Sequence, residues 1–120
     1  MEWKLNRKKA VFIQLADILR QDILSGRYGP DEQIPTVRQL AEQAAVNPNT
    51  MQKALASLEE EGILYSKGTV GRFVTSDREV LDAARDQARR QAVRELVCEA
   101  RQLGISKDEL INYIKEEEEL

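Results

Sequence analysis

Apolar residues recur at three- and four-residue intervals between Ala10 and Ser25, with polar residues largely between them. This spacing predicts an amphipathic helix. Ser25 and Gly26 can end it, because glycine readily adopts the positive φ at which many helices stop, and a turn-rich stretch then continues to Pro35. The pattern therefore predicts a first helix that ends near Ser25.

Two shorter helices are predicted after this turn. Thr36 and Gln39 have the spacing of a capping box, in which each side chain satisfies the free backbone amide of the other residue, so a short helix should begin there. Asn47 and Pro48 predict the start of another helix, because Asn caps helix N-termini and Pro is favoured at the first helical position. Gly62 is the natural end of this third helix.

Short apolar runs at residues 63–65 and 72–75 are strand-like, and the two glycines between them permit a tight reversal. They predict a two-stranded hairpin. The two short helices before it, joined by a tight connection, form the arrangement that places a recognition helix in the major groove of DNA.

The last third of the chain is predicted to be helical. Apolar residues return to near-helical spacing from Asp77 to Gly104, and Ser106 with Glu109 forms a second capping box. The final helix is predicted to run toward Glu119. The predicted fold class is therefore mainly α with a small β-hairpin.

Composition limits the possible functions. The chain has 120 residues, 42% hydrophobic and 32% charged, which suffices for one compact domain with a small appendage. It has no His and one Cys, Cys98, which excludes a His-based triad, a His- or Cys-based metal site and an intrachain disulfide. We therefore expect neither an enzyme nor a cofactor. No apolar run approaches the roughly 20 residues of a membrane span and no signal-peptide core follows the first residues, so we expect a cytoplasmic protein.

Charge is distributed unevenly along the chain. The net charge of −3 argues weakly against a nucleic-acid partner. However, residues 1–75 hold 10 Lys and Arg against 9 Asp and Glu, whereas residues 76–120 hold 8 against 12. The acidity therefore belongs to the tail. Only 5% of residues are aromatic, which gives little support to a stacking platform for single strands, so any DNA bound should be a duplex.

The polar face of the third helix is the chemical feature that points most directly to DNA. It carries uncharged hydrogen-bonding side chains and one cation, which suit base edges and phosphates, whereas an ordinary solvated face more often alternates Glu and Lys. A small helical domain with a polar surface is the alternative, and the pattern alone leaves both interpretations open. The residues on this face are Asn49, Thr50, Gln52, Lys53 and Ser57.

Four segments in a fixed order carry a family resemblance. They are IPTVRQLAEQ at 34–43, VNPNTMQKAL at 46–55, LEEEGIL at 58–64 and GTVGRFV at 68–74. They resemble the winged helix-turn-helix of GntR-type bacterial transcription regulators, and the last resembles its wing. The resemblance extends over residues 10–75 almost without gaps.

The resemblance implies DNA contacts at three places. Arg38 matches a family position at which a guanidinium contacts a guanine edge or a phosphate, with an exposed, solubilising Arg as the alternative. Asn47 is explained equally well as a helix cap, and Gly68 is also required by turn geometry. The remaining implied contacts open the recognition helix or lie in the wing: Asn49, Thr50, Gln52, Lys53, Lys67 and Arg72.

The tail resembles that of the YtrA subfamily, whose members often repress transporter operons. The predicted domains are a winged helix-turn-helix at 1–75 and a helical dimerisation tail at 76–120. These 45 residues are too few to enclose a ligand, and the sequence leaves open whether an effector exists. Leu81, Ala84 and Ala88 should pack back onto the first domain, while later apolar residues need a second copy of the chain. These are Val93, Leu96, Val97, Ala100, Leu103, Leu110, Ile111 and Ile114.

The expected function is thus a homodimeric, sequence-specific DNA-binding repressor with an inverted-repeat operator. A winged-helix module for protein interaction, acting as an adaptor, is the alternative, because winged helices also serve as protein-binding units. The nearly neutral charge of residues 1–75 is compatible with this second interpretation.

Overall fold

A computed structural model describes residues 2–6 and 9–118, and it confirms a mainly helical chain with one antiparallel hairpin. The chain divides into two compact units, the first ending at Ala84 and the second beginning at Arg85. The division falls within α4. The elements of the described residues are α1 (Val11–Leu24), α2 (Val37–Ala44), α3 (Pro48–Glu60), β1 (Leu64–Lys67), β2 (Gly71–Val74), α4 (Arg78–Gln102) and α5 (Lys107–Glu116).

Helix α1 ends where its sequence predicts. Ser25 is its C-cap and Gly26 follows with φ of 95°. Leu15, Leu19 and Ile23 are buried at four-residue intervals along one face, as an amphipathic helix requires.

Local caps mark where α2 begins and ends and where α3 begins. Thr36 and Gln39 form both hydrogen bonds of the predicted capping box, at 3.1 and 2.9 Å. Ala45 ends α2 in the left-handed region with φ of 56°, a conformation that is uncommon for a residue with a Cβ. The side chain of Asn47 then accepts a hydrogen bond from the Asn49 backbone N–H at 2.7 Å, which confirms its predicted role as the N-cap of α3.

The hairpin gains a partner that the sequence did not reveal. Strands β1 and β2 pair antiparallel, with Ser66 opposite Arg72. Residues 31–34, predicted as a turn-rich loop, run along the other edge of β2. The Ile34 N–H donates to the Arg72 carbonyl at 3.0 Å, and the Val74 N–H donates to the Glu32 carbonyl at 2.9 Å. The wing is therefore paired through its backbone on both edges of β2.

The core of the first unit lies between α1, α2, α3 and the hairpin. Leu81 of α4 is 3% exposed and belongs to this core, and Ala84 packs against it, which confirms that the start of the tail packs back as predicted. Ala88, however, is exposed. The side chains that are 0% exposed are Leu15, Leu40, Met51, Ala54, Leu55 and Leu58.

A buried amide ties the N-terminal segment to α1. Gln14 is 7% exposed, and its Oε1 accepts from the Asn6 N–H at 2.8 Å. Its Nε2 donates to the carbonyls of Asn6 at 2.7 Å and Lys9 at 2.8 Å. Trp3 and Leu5 of the same segment pack against the core. A buried polar side chain is thus satisfied by backbone groups of the N-terminal segment.

The second unit contains the rest of α4 and all of α5. After α4, Gly104 adopts φ of 75° and the Ile105 N–H donates to the Ala100 carbonyl at 2.9 Å, a common way to close a helix end. Ser106 and Glu109 form the predicted capping box. Helix α5 ends at Glu116, and Glu119, toward which it was predicted to run, lies outside the described residues.

We expect Asn47→Ala to lower the free energy of unfolding by about 1 kcal/mol, because a backbone donor at the start of α3 loses its acceptor. Asn49→Ala is the matched control, since its exposed side chain does not cap the helix. Urea unfolding followed by circular dichroism measures both. Equal losses in the two variants would contradict the capping assignment.

Candidate DNA-binding surface

Helix α3 has one buried and one exposed face, which sets the geometry of the candidate surface. Met51, Leu55 and Leu58 are fully buried, and Asn49 and Gln52 are exposed on the side away from them. Thr50 and Ser57 are half-buried. The first turn of α3 contains no acidic residue, so polar groups and the positive end of the helix dipole are open to an anionic ligand there.

Arg38 lies in the first turn of α2 and is exposed. Among the described residues it forms no ion pair, whereas Arg20, Arg27 and Arg90 each pair with a carboxylate. Its five N–H donors are therefore available to an external acceptor. This is the arrangement that a bidentate contact to a guanine or a phosphate needs.

Lys53 is exposed but leans toward α1. Its Nζ lies 4.1 Å from the centre of the Phe12 ring. A cation–π contact at an exposed site is worth only about 0.5–1 kcal/mol, so the ammonium can exchange the ring for a phosphate at little cost.

The wing presents a small tip. The Val70 N–H donates to the Lys67 carbonyl at 2.9 Å, and Gly68 has φ of 46°, a turn geometry that favours glycine. Val70 is 63% exposed. The Nζ of Lys67 lies 5.1 Å from the centre of the Phe73 ring, so this lysine flanks the tip while its stem covers an aromatic side chain.

Arg72 is much less exposed than the other cationic side chains among the candidate contacts. Its side chain is only 16% exposed and pairs with the carboxylate of Glu59 on α3. The Ser66 hydroxyl donates to the same Glu59 oxygen at 2.7 Å. The pKa of Glu59 is held below its ordinary value by the hydrogen bond from Ser66 and then by the hydrogen bond and charge of Arg72, against the effect of partial burial. Sequence reasoning missed Glu59 because its partners lie on a different element.

A second ion pair holds another acidic residue at this end of α3, Glu61. Arg20 of α1 donates from Nε and Nη2 to the two carboxylate oxygens of Glu61, at 2.8 and 2.5 Å, and also donates to Asp17 at 2.8 Å. The hydrogen bond to Glu61 is the main cause of the raised pKa of Arg20. Glu59 and Glu61 are thus neutralised within the fold, and Glu60 between them is exposed.

The predicted dimerisation residues differ in exposure. Ala100 is 5% exposed in the single chain, so it has almost no surface to offer a partner. Val97 and Leu110 are half-buried. Tyr113, which the sequence prediction omitted, is also exposed. The exposed members of the predicted set are Val93, Leu96, Leu103, Ile111 and Ile114.

The described residues hold neither a metal site nor a membrane-spanning helix. Within 2–6 and 9–118, no group of three or more Cys, Asp or Glu side chains is arranged to hold a metal ion. None of the helices described for this chain is long and apolar enough to cross a membrane.

Known proteins resemble this chain over nearly its whole length. Residues 13–74 match the family described as bacterial regulatory proteins, gntR family. The chain is 29% identical over 115 residues to the HTH-type transcriptional regulator YhcF of Bacillus subtilis, which covers 96% of this chain and 95% of YhcF. It is 27% identical over 107 residues to the HTH-type transcriptional repressor YtrA of the same species, which covers 88% of this chain and 82% of YtrA.

Solved structures agree with these relatives. A GntR family transcriptional regulator from Listeria monocytogenes superposes with a TM-score of 0.85 at 29% identity, covering 95% of this chain and 100% of that one. The DNA-binding domain of AraR in complex with the operator ORE1 superposes with a TM-score of 0.55 at 30% identity, covering 62% of this chain and 94% of that one.

Proposed function

The chain belongs to the GntR family of DNA-binding transcription regulators, and on that premise we propose that it is a repressor that binds an inverted-repeat operator as a homodimer. Its relatives are transcription regulators rather than enzymes. A regulator of this kind acts on the chromosome, and therefore in the cytoplasm. The names of YtrA as a repressor and of AraR in complex with an operator support this proposal.

The observation that carries the proposal is the exposed N-terminal half of α3. It directly follows the tight connection from α2, it holds uncharged polar side chains, and Arg38 lies exposed in the first turn of the preceding helix. In helix-turn-helix proteins the first residues of the second helix contact base edges in the major groove. We assign base contacts to Asn49, Thr50 and Gln52 on this basis.

Phosphate and wing contacts complete the proposed interface. Lys53 and Lys67 are exposed cations whose aromatic contacts are weak enough to exchange. Asn47 caps α3 through its Oδ1, which leaves its Nδ2 as a possible donor to phosphate. Gly68 lets the backbone at the wing tip approach the duplex closely. Arg72 is paired with Glu59 within the fold and is left out of this set of contacts.

The homodimer is supported by the apolar surface of the second unit. Leu103 is 78% exposed, and Val93, Ile114 and Ile111 are 59, 53 and 49% exposed. Several large exposed apolar side chains in one small unit commonly mark an interface. A second copy with twofold symmetry covers the same face on both chains, and it places two recognition helices on half-sites related by a dyad.

Selection from a randomised duplex library with the full chain tests the proposed function. We expect enrichment of an inverted repeat whose binding weakens steeply with salt. Arg38, Lys53 and Lys67 in two subunits can neutralise up to six phosphates, which limits the log–log salt slope to about 5 in magnitude. Binding that shows no sequence preference, or no enrichment at all, would contradict the repressor proposal and favour the adaptor interpretation.

Arg38→Ala should weaken binding to the enriched duplex by about 1–3 kcal/mol if its guanidinium forks onto a guanine. Arg38→Lys separates the two possible contacts, because it keeps the charge for a phosphate but loses the fork. Arg89→Ala, the same change at an exposed position of α4, is the matched control. A loss of less than a few tenths of a kcal/mol for Arg38→Ala, or an equal loss for Arg89→Ala, would return Arg38 to a solubilising role.

Ile111→Glu should convert the dimer to a monomer and weaken operator binding at the same time, because it places a charge in the proposed apolar interface. Asn112→Glu, an adjacent exposed position on the same helix, adds the same charge and should leave the dimer intact. Sedimentation gives the mass and gel shift gives the affinity. A monomeric unmodified chain at micromolar concentration, or a fully dimeric Ile111→Glu variant, would contradict the dimerisation proposal.

A further inference from the structure

We propose that Glu59 is a positioning residue for DNA binding, which acts through Ser66 and Arg72 to hold the wing against the recognition helix. The inference rests on the proposed function above. It adds a residue that supports DNA binding without contacting the DNA. It also reassigns Arg72 from a DNA contact to a structural role. Its guanidinium neutralises Glu59 within the fold and does not bind a DNA phosphate.

The geometry brings two strands of the wing to one oxygen of α3. Ser66 of β1 and Arg72 of β2 are directly opposite in the hairpin, so their side chains emerge on the same face. Both donate to Glu59 Oε1, one from a hydroxyl and one from the guanidinium Nε. A single carboxylate in the last turn of the recognition helix therefore holds both strands of the wing.

Among the described residues, no other side chain of α3 forms hydrogen bonds with the wing. Among residues 2–6 and 9–118, the side-chain hydrogen bonds between α3 and the hairpin both end on Glu59. The wing has further ties, but they lead to residues 31–34: Gln33 Nε2 donates to the Val70 carbonyl at 2.9 Å, and Tyr65 donates to Asp31 at 2.7 Å. Leu58 of α3 and Val74 of β2 share the apolar core, and the Glu59 carboxylate adds the side-chain hydrogen bonds that hold the wing in one orientation relative to the recognition helix.

Burial makes the pair unsuited to exchange with DNA. The side chain of Arg72 is 16% exposed and that of Glu59 is 31% exposed, whereas the pair between Arg90 and Asp86 on α4 is 71 and 63% exposed. If Arg72 left for a phosphate, Glu59 would keep its charge in a partly desolvated position. Lys53 and Lys67, which rest on aromatic rings, face no such penalty.

Glu59→Gln separates positioning from simple electrostatics, because the two effects have opposite signs. Removal of a negative charge from a DNA-binding unit should tighten binding if only long-range attraction matters. If Glu59 positions the wing, binding should weaken, since a neutral amide no longer holds the guanidinium. Glu60→Gln makes the same change of charge at the adjacent exposed residue, and it provides the matched control.

The experiment uses the full chain and the duplex enriched in the selection, titrated at several salt concentrations. Glu59→Gln should weaken binding about tenfold at each half-site, the size expected for loss of a charge-assisted hydrogen bond, and therefore about a hundredfold for the dimer, with an unchanged salt slope. Glu60→Gln should bind equally or more tightly. Arg72→Gln should weaken binding to the same extent as Glu59→Gln without changing the slope, and the double variant should be no weaker than either single variant.

Footprinting distinguishes positioning from a general loss of folding. In Glu59→Gln, hydroxyl-radical protection of the minor groove at the wing should be lost, while protection of guanine N7 in the major groove by α3 should remain once the variant is saturating. A partly unfolded variant would lose both together. Ser66→Ala removes one donor and keeps the ion pair, so it should weaken the wing footprint less.

Two results would overturn the inference while leaving the proposed function intact. The first is that Glu59→Gln binds the enriched duplex as tightly as Glu60→Gln. The second is that Arg72→Gln lowers the magnitude of the salt slope by about two, nearly one for each subunit of the dimer, which would identify Arg72 as a phosphate contact. If the unmodified chain enriches no duplex, the proposed function fails and the role of Glu59 fails with it.

Discussion

Burial of one face of α3 is the constraint on which the rest of the DNA-binding unit depends. Met51, Ala54, Leu55 and Leu58 are all fully buried, and each large apolar side chain among them contributes about 1.5–3 kcal/mol on removal from water. This fixes the rotation of the helix about its axis, so that Asn49 and Gln52 must face outward. Because the recognition face is set by the core, its polar residues are free to vary with the DNA that is bound, without loss of the fold.

The net charge of this protein says little about its ability to bind DNA, because two of the acidic residues near α3 are paired within the fold and most of the others lie in the tail. The three consecutive glutamates at the end of α3 would repel DNA if they were all free. Two of them are paired inside the fold, Glu61 with Arg20 and Glu59 with Arg72. The first turn of α3 carries no acid, and the excess of acidic residues lies in the tail. A chain with pI near 5.1 can therefore present a surface that accepts phosphate.

Local signals predicted the helices well, and non-local pairing accounts for what they missed. The caps at Thr36, Asn47 and Ser106 were visible because capping needs residues only two or three positions apart. The strand-like pairing of residues 31–34 with β2 leaves little local trace, since it uses backbone groups that every residue carries. The same is true of Arg72, which looks like a DNA contact in the sequence, because its partner lies 13 positions away on another element.

Different interactions therefore hold the two parts of the candidate surface, the recognition helix and the wing. The recognition helix is ordered by apolar burial, which is insensitive to salt, whereas its side-chain hydrogen bonds to the wing end on a charged pair at the edge of solvent. In a twofold dimer any loosening of the wing would act at both half-sites, and its effect on affinity would be squared rather than added. Natural variation at Glu59, Ser66 or Arg72 should therefore change operator affinity strongly even though the base-contacting face of α3 stays the same. On the role proposed for Glu59, regulators with identical recognition helices would differ in operator affinity.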